Sequence, residues 1–155
     1  MNGDIRDQLR RDHESVLAEL EALRSERDEK RFLAALRQLR RSWVIHALAE
    51  ETVVYRALEG IEAANDSSRA DERFVEHELV EGLFDKLSRS RPGSIEWHAR
   101  LNVAHELIMR HIETEYAETF RAIEQRFDAE QRSELGHRFT LARDKLTMLE
   151  EAKAA

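Results

Sequence analysis

Apolar residues recur every three or four positions along most of the chain, which is the period of an amphipathic α-helix. Long runs of β-branched residues, which would favour strands, are absent. Polar or turn-forming segments interrupt the pattern at few places, namely RSERDEK, AANDSS and SRPGS. The pattern therefore predicts an all-α protein in which long helices are joined by short polar turns.

Together, the apolar period and these interruptions predict five helices, over about 4–25, 28–62, 68–89, 94–127 and 129–151. Four long helices joined by short turns favour antiparallel neighbours in an up-down four-helix bundle. We expect the fifth helix to pack on the outside or at one end of this bundle. The predicted organisation is a single domain over 1–155, with the bundle over about 4–127 and an additional C-terminal helix over about 129–151.

Polar residues occupy core positions on four of these predicted helices. In the second helix, His46 and Glu50 lie on the apolar stripe where leucine would be expected. A histidine and a glutamate four residues apart recur on the next two helices, and the first helix carries one histidine on its stripe. Residues at this spacing lie about one helical turn apart on the same face. The full set is His13, His46, Glu50, His77, Glu81, His111 and Glu115.

These polar core residues favour a metal centre. The distances along the chain from these residues to the turns bring the polar residues of all four helices to roughly one level. Burying each of these groups unpaired would cost several kcal/mol. Imidazole suits iron, copper, zinc and nickel, and a carboxylate can bridge two ions. Seven groups exceed the four ligands of a structural zinc, so we predict two metal ions. The simpler alternative is hydrogen-bonded core histidines. We interpret His98, His105 and His137 as surface or supporting residues.

Composition and charge exclude several classes of function. The chain has 25 basic and 32 acidic residues, a net charge of −7, which argues against non-specific binding to nucleic acid and against an anionic membrane surface. No apolar run approaches the ~20 residues of a transmembrane helix, and the N-terminus has no signal-peptide core. Cysteine is absent. We therefore expect a cytoplasmic protein without nucleic-acid or membrane partners; a homo-oligomer or another protein partner stays open.

Four segments resemble the hemerythrin-like family, the HHE cation-binding domain. They are RDHE at His13, HALAEE at His46 and Glu50, EHELVE at His77 and Glu81, and HIETE at His111 and Glu115. The segments come in family order over about Asp12 to Phe120. The resemblance implies a four-helix bundle that holds two non-haem iron ions joined by an oxo or hydroxo bridge. By this resemblance, the carboxylates of Glu50 and Glu115 bridge the irons and the four histidines are terminal ligands.

Two positions depart from the oxygen-carrying hemerythrins. Glu81 stands where those proteins have a fifth histidine, and Glu115 follows His111 by four residues where they have an aspartate at five. If Glu81 is a ligand, its negative charge favours ferric iron. Alternatively, Glu81 lies behind the ligands without binding metal, and the iron bound by His77 keeps a coordination position open for a small molecule. Both departures place the chain among the broader hemerythrin-like proteins.

The leading hypothesis is a di-iron protein that binds or reacts with O₂, NO or peroxide, in sensing, scavenging or an iron-linked role. Weak peroxidase or catalase activity, or redox activity linked to NO or O₂, would fit, and whether the protein is an enzyme stays open. One alternative is a ferritin-like iron oxidase or storage protein. Such proteins pair two E-x-x-H motifs, whereas this chain has one, Glu134 with His137. The other is a metal-free helical interaction domain.

Overall fold

The computed structural model describes residues 3–59 and 67–155, and every regular element within these ranges is helical. The all-α prediction is confirmed. Helix α1 spans Ile5–Ser25, α3 spans Ser67–Ser88 and α5 spans Ala129–Ala154. Helix α2 runs through Glu29–Glu50, a π-helical segment Glu51–Tyr55 and Arg56–Glu59. Helix α4 likewise runs through Ile95–Thr114, a π-helical segment Glu115–Thr119 and Phe120–Arg126.

The observed helix ends agree closely with the predicted ones, because short side chains cap the helices at the expected places. Asp4 accepts a hydrogen bond from the Arg6 amide, and Ser94 accepts one from the Trp97 amide. Asp128 forms a capping box at the start of α5. Each such cap satisfies an amide that the helix itself leaves unpaired. The predicted end of the second helix at 60–62 and most of the predicted AANDSS turn lie outside the described residues.

Buried apolar side chains form two clusters, with the polar core residues between them. Along α1, Leu9 belongs to one cluster, Val16 belongs to the other, and His13 lies between the two. Along α2, Trp43 belongs to one cluster and Val53 to the other, and they flank His46 in the same way. The polar layer is therefore enclosed by apolar packing along the helix axes.

The helices that carry the polar core residues contact one another in sequence. Helix α1 packs on α2, α2 on α3, and α3 on α4, which also contacts α1. Helix α5 packs along α1 and α2. Gly136 allows its close approach, since a Cβ there would lie 2.2 Å from the Gly3 carbonyl oxygen. In the described part of the chain, no helix is long and apolar enough to cross a membrane.

Candidate metal centre

Six of the seven predicted ligands meet in one buried layer. They are His13, His46, Glu50, His77, His111 and Glu115, and each is at most 3% exposed. Their ligand atoms form two overlapping groups, within each of which all atoms lie no more than 4.8 Å apart. One group contains His13, His46, His111 and Glu115, and the other contains Glu50, His77 and His111. His111 is common to both, so the two groups are adjacent.

The Glu50 carboxylate faces imidazoles from three helices. Its Oε2 atom lies 3.4 Å from Nε2 of His77, 3.7 Å from Nε2 of His46 and 3.8 Å from Nε2 of His111. Glu50 itself is completely buried. A carboxylate in this position can neutralise more than one positive charge in the layer.

The Glu115 carboxylate joins the first and fourth helices. Its Oε2 atom lies 2.9 Å from Nε2 of His13 and 3.4 Å from Nε2 of His111. Glu115 thus contacts imidazoles from two helices, as Glu50 contacts imidazoles from three. All four histidines direct Nε2 toward one of these two carboxylates.

Both carboxylates lie where an α-helix changes to a π-helix. Glu50 is the last α-helical residue before the π-helical segment Glu51–Tyr55, and Glu115 is the first residue of the other π-helical segment. The i→i+5 hydrogen bonds of a π-helix are rare and occur mostly as short insertions at functional sites. These segments were not predicted from the sequence, because no residue type in either one signals a π-helix.

Glu81 lies apart from this layer. Its side chain is 42% exposed, and its carboxylate lies 3.1 Å from Nη2 of Arg40. Val80, which is completely buried, takes the core position one turn after His77. Helix α3 is regular here, without the π-helical segment that accompanies the other two glutamates. The prediction of Glu81 as a ligand is therefore not supported by its placement, although its spacing from His77 repeats that of the other pairs.

Further carboxylates lie against the outer nitrogen atoms of two histidines. Nδ1 of His77 is 2.7 Å from Oε1 of Glu51, and Nδ1 of His46 is 3.3 Å from Oδ2 of Asp12. Carboxylates in this position fix the orientation of a ligating imidazole and leave the lone pair on Nε2. Neither Asp12 nor Glu51 was predicted as a site residue. A signal was available, since each is the immediate neighbour of a predicted ligand.

The same layer leaves an unusual number of polar atoms without hydrogen bonds. Among the described residues, both oxygens of Glu50 and Glu115 and the Nε2 atoms of the four histidines are buried without a hydrogen-bond partner. Nε2 of His13 and Oε2 of Glu115 are close but lack the geometry of a hydrogen bond. Each unsatisfied buried group costs about 1–3 kcal/mol. Imidazole nitrogens and carboxylate oxygens aimed at common points fit bound metal ions.

Without metal, the charges in the layer are balanced by protons. Burial lowers the pKa of His46 to about 4, although Asp12 and Glu50 oppose this shift. Burial also disfavours the charged form of His111, but contacts with Glu115 and Glu76 raise the pKa of His111 to about 10. Burial acts to raise the pKa of Glu115, yet contacts with the histidines hold it well below its usual range. A proton on His111 therefore occupies a place that a cation could take.

Aromatic side chains enclose the layer. The ring of Trp43 lies 5.5 Å from that of His77 and 5.4 Å from that of His111, and its indole nitrogen donates a hydrogen bond to the His77 carbonyl oxygen. Tyr55 stacks on His77 with the ring centroids 6.1 Å apart. The hydroxyl of Tyr55 is buried without a hydrogen-bond partner among the described residues. Tyr55 was not among the predicted site residues.

The three histidines that were predicted to be surface or supporting residues lie outside the layer. His98 and His137 are exposed. His105 is partly exposed, and its Nε2 atom lies 3.3 Å from Oε1 of Glu21. Glu134, the partner of His137 in the E-x-x-H motif, is also exposed. This motif is thus separate from the buried cluster.

Comparison with known proteins agrees with the geometry. A DNA nickase from Nostoc sp. (strain PCC 7120) is 24% identical over 143 residues, which cover 92% of this chain and 40% of that protein. The chain thus spans less than half the length of this relative. No solved structure matches the chain significantly. The model of the hemerythrin HHE cation-binding domain matches residues 4–123, a range that includes all six converging residues. The chain therefore belongs to the hemerythrin HHE cation-binding domain family.

Proposed function

We propose that this chain is a non-haem di-iron protein whose buried centre binds or reacts with O₂, NO or peroxide. One observation carries the proposal. Four imidazole Nε2 atoms and two carboxylates converge in a buried layer, and none of these ligand atoms has a hydrogen-bond partner among the described residues. The family match supports cation binding by the segment 4–123, within which all six residues lie.

The proposal of two ions rests on the division of the layer. The two groups of ligand atoms share only His111, so they define two neighbouring positions. Glu50 contacts Nε2 atoms of both groups, as a bridging carboxylate would. The contacts of α1 with α2, α2 with α3, α3 with α4 and α4 with α1 favour an antiparallel up-down four-helix bundle around this layer.

Six protein groups would not fill the coordination positions of two irons, so a small molecule could bind as well. The side of Glu50 and His77 would leave more room for it, because that group has three members and Glu81 does not join it. A cavity of about 230 Å³ reaches His77 from the surface, bordered by Trp43, Glu51 and Glu81 among others. Iron bound here would supply electrons to an oxidant or a site for NO.

The protein's own groups would then control access and orientation. Trp43, which packs against the rings of His77 and His111, excludes water from that side of the layer. Asp12 and Glu51 hold the imidazoles of His46 and His77 with Nε2 directed inward. These contacts preserve the ligand geometry when a small molecule enters, which favours reversible or controlled reaction over loss of metal.

Other functions receive less support. A ferritin-like site would use Glu134 and His137, but both are exposed on α5. A metal-free interaction domain would not explain why the ligand atoms of the layer are buried without hydrogen bonds. The DNA nickase is a much longer protein at 24% identity, and a net charge of −7 opposes binding to phosphates.

The experiment is to load the protein with iron, reduce it without oxygen, and add O₂, NO or peroxide while absorption is recorded. We expect new charge-transfer bands with at least one of the three. Glu81→Gln should behave as wild type, because Glu81 is on the surface. The double variant His46→Leu/Glu50→Leu should show no response. An iron-loaded wild-type protein that is inert to all three molecules contradicts the proposed function.

A further inference from the structure

Helix α5 reaches the metal centre although it lies outside the segment matched by the family. That match ends at residue 123, and α5 begins at Ala129. Arg143 on α5 directs Nη1 to Oδ1 of Asp12 at a distance of 3.0 Å. The other oxygen of Asp12 lies 3.3 Å from Nδ1 of His46. A chain of two polar contacts thus connects α5 to a residue of the buried layer.

We propose that Arg143 is a positioning residue of the metal centre. It holds Asp12 in the orientation that directs His46 and offsets part of the negative charge that Asp12 presents to the imidazole. Helix α5 then contributes a residue that positions a ligand of the centre, in addition to packing on α1 and α2. The inference rests on the proposed metal-binding function, because it concerns the outer side of a proposed ligand.

Because Asp12 is buried, its ion pair with Arg143 affects the charge that acts on His46. Asp12 is 6% exposed, and a buried carboxylate without a cation is costly. Arg143 occupies one carboxylate oxygen and leaves the other for His46. Without Arg143, the full negative charge of Asp12 would act on the imidazole, and the imidazole would donate more electron density to a bound metal. This change favours ferric over ferrous iron, so the reduction potential should fall.

The side chain of Arg143 is suited to replacement. It is 44% exposed and borders a polar cavity of about 320 Å³ between α1, α2 and α5. Its removal therefore leaves no hole in the apolar core. The packing of α5 depends on other residues, such as Phe139, which is completely buried and has its ring centroid 6.4 Å from that of His46.

Arg41 provides a matched control in the same cavity. It is on α2, and its Nη2 atom lies 3.1 Å from Oε1 of Glu151 on α5. This ion pair also joins α5 to the rest of the protein, but it involves neither Asp12 nor His46. A loss of α5 docking alone would affect Arg41→Gln and Arg143→Gln similarly.

The test compares iron-loaded wild type, Arg143→Gln, Arg143→Lys and Arg41→Gln. The readouts are the reduction potential and the rate at which a chelator removes iron. We expect Arg143→Gln to lower the potential and to speed iron loss about tenfold, the effect typical of a lost outer partner. Arg143→Lys should recover part of both effects, and Arg41→Gln should match wild type.

The outcomes separate the two proposals. If Arg143→Gln and Arg41→Gln give the same potential and the same rate of iron loss, the positioning role is overturned while the proposed function stands. If the wild-type protein takes up no metal, the proposed function fails and the inference fails with it. Should Arg143→Gln fail to fold, Asp12→Asn with Arg143 intact serves instead, and unchanged iron retention in that variant contradicts the inference.

Discussion

Glu51 on α2 directs Oε1 to Nδ1 of His77 on α3 at a distance of 2.7 Å, so the neighbour of one proposed ligand supports another on the next helix. A similar arrangement, with longer distances between carboxylate and imidazole, occurs twice more. Asp12, which precedes His13, lies against His46, and Glu76, which precedes His77, has Oε2 3.8 Å from Nδ1 of His111. Each helix from α1 to α3 thus supports a histidine on the following helix, and these contacts fix the layer from outside.

We predict that Glu51→Gln weakens metal binding about tenfold, because the imidazole of His77 loses a charged partner that orients it. Titration of the metal-free protein with Fe²⁺ under anaerobic conditions measures this affinity. Glu78→Gln is the matched control, since Glu78 borders the same cavity but is exposed, and the carboxylate that contacts Nδ1 of His77 is that of Glu51. Equal affinities for the two variants would show that the contact has no role in metal binding.

We predict that His46→Leu/Glu50→Leu stabilises the metal-free protein by about 1–4 kcal/mol. Apolar residues replace Nε2 of His46 and both oxygens of Glu50, which are buried without hydrogen bonds, and this gain outweighs the lost contact of His46 with Asp12. Urea unfolding in the presence of a chelator measures the free energy of unfolding. The same variant should lose its iron. A variant that is less stable than wild type without metal would mean that the two side chains are well paired in the metal-free state.

We predict that metal binding near neutral pH releases about one proton from His111. The pKa of this residue is raised to about 10 in the metal-free protein, so it is protonated at pH 7 and must lose its proton to ligate. The apparent affinity for metal should therefore rise as the pH rises toward about 10. Calorimetric titration in buffers of different ionisation enthalpy counts the released protons, and a count of zero would contradict this assignment.

We predict that Asp4 stabilises the fold above about pH 4 and loses this effect in acid. Burial acts to raise the pKa of Asp4, but contacts with Arg6 and Arg132 hold it well below the ordinary value of 3.8. A carboxyl with a depressed pKa contributes its full stabilisation above the unfolded-state pKa, and the contribution falls as the pH drops below 3.8. Asp4→Asn keeps a cap for α1 but removes the ion pairs, so it should be less stable at pH 7.

The measurement for Asp4 is the difference in free energy of unfolding between wild type and Asp4→Asn. This difference should shrink steadily from pH 4 to pH 2. Asp7→Asn is the control, because Asp7 pairs with Arg10 on the exposed surface of the same helix, where an ion pair contributes little. A constant difference for Asp4→Asn across this range would rule out the ion pairs as its source.

The helices, and the burial in one layer of six of the seven predicted ligands, could be predicted because they depend on local pattern. Helical period shows which residues face the core, and a histidine such as His46 among leucines is conspicuous there. Glu81 was included among the predicted ligands because its spacing from His77 matches that of the other pairs. Spacing alone does not decide which of two neighbours, Val80 or Glu81, faces the core. The π-helical segments and the contact of Arg143 with Asp12 arise from packing between helices, which periodicity does not encode.

The central claim is that the buried layer holds two irons, and metal analysis of the protein after anaerobic loading with Fe²⁺ and removal of unbound metal tests it most directly. We predict two irons for each chain in the wild type and in Glu81→Gln, and none retained in His46→Leu/Glu50→Leu. One iron or fewer for each wild-type chain, or full retention in the double variant, would contradict the account.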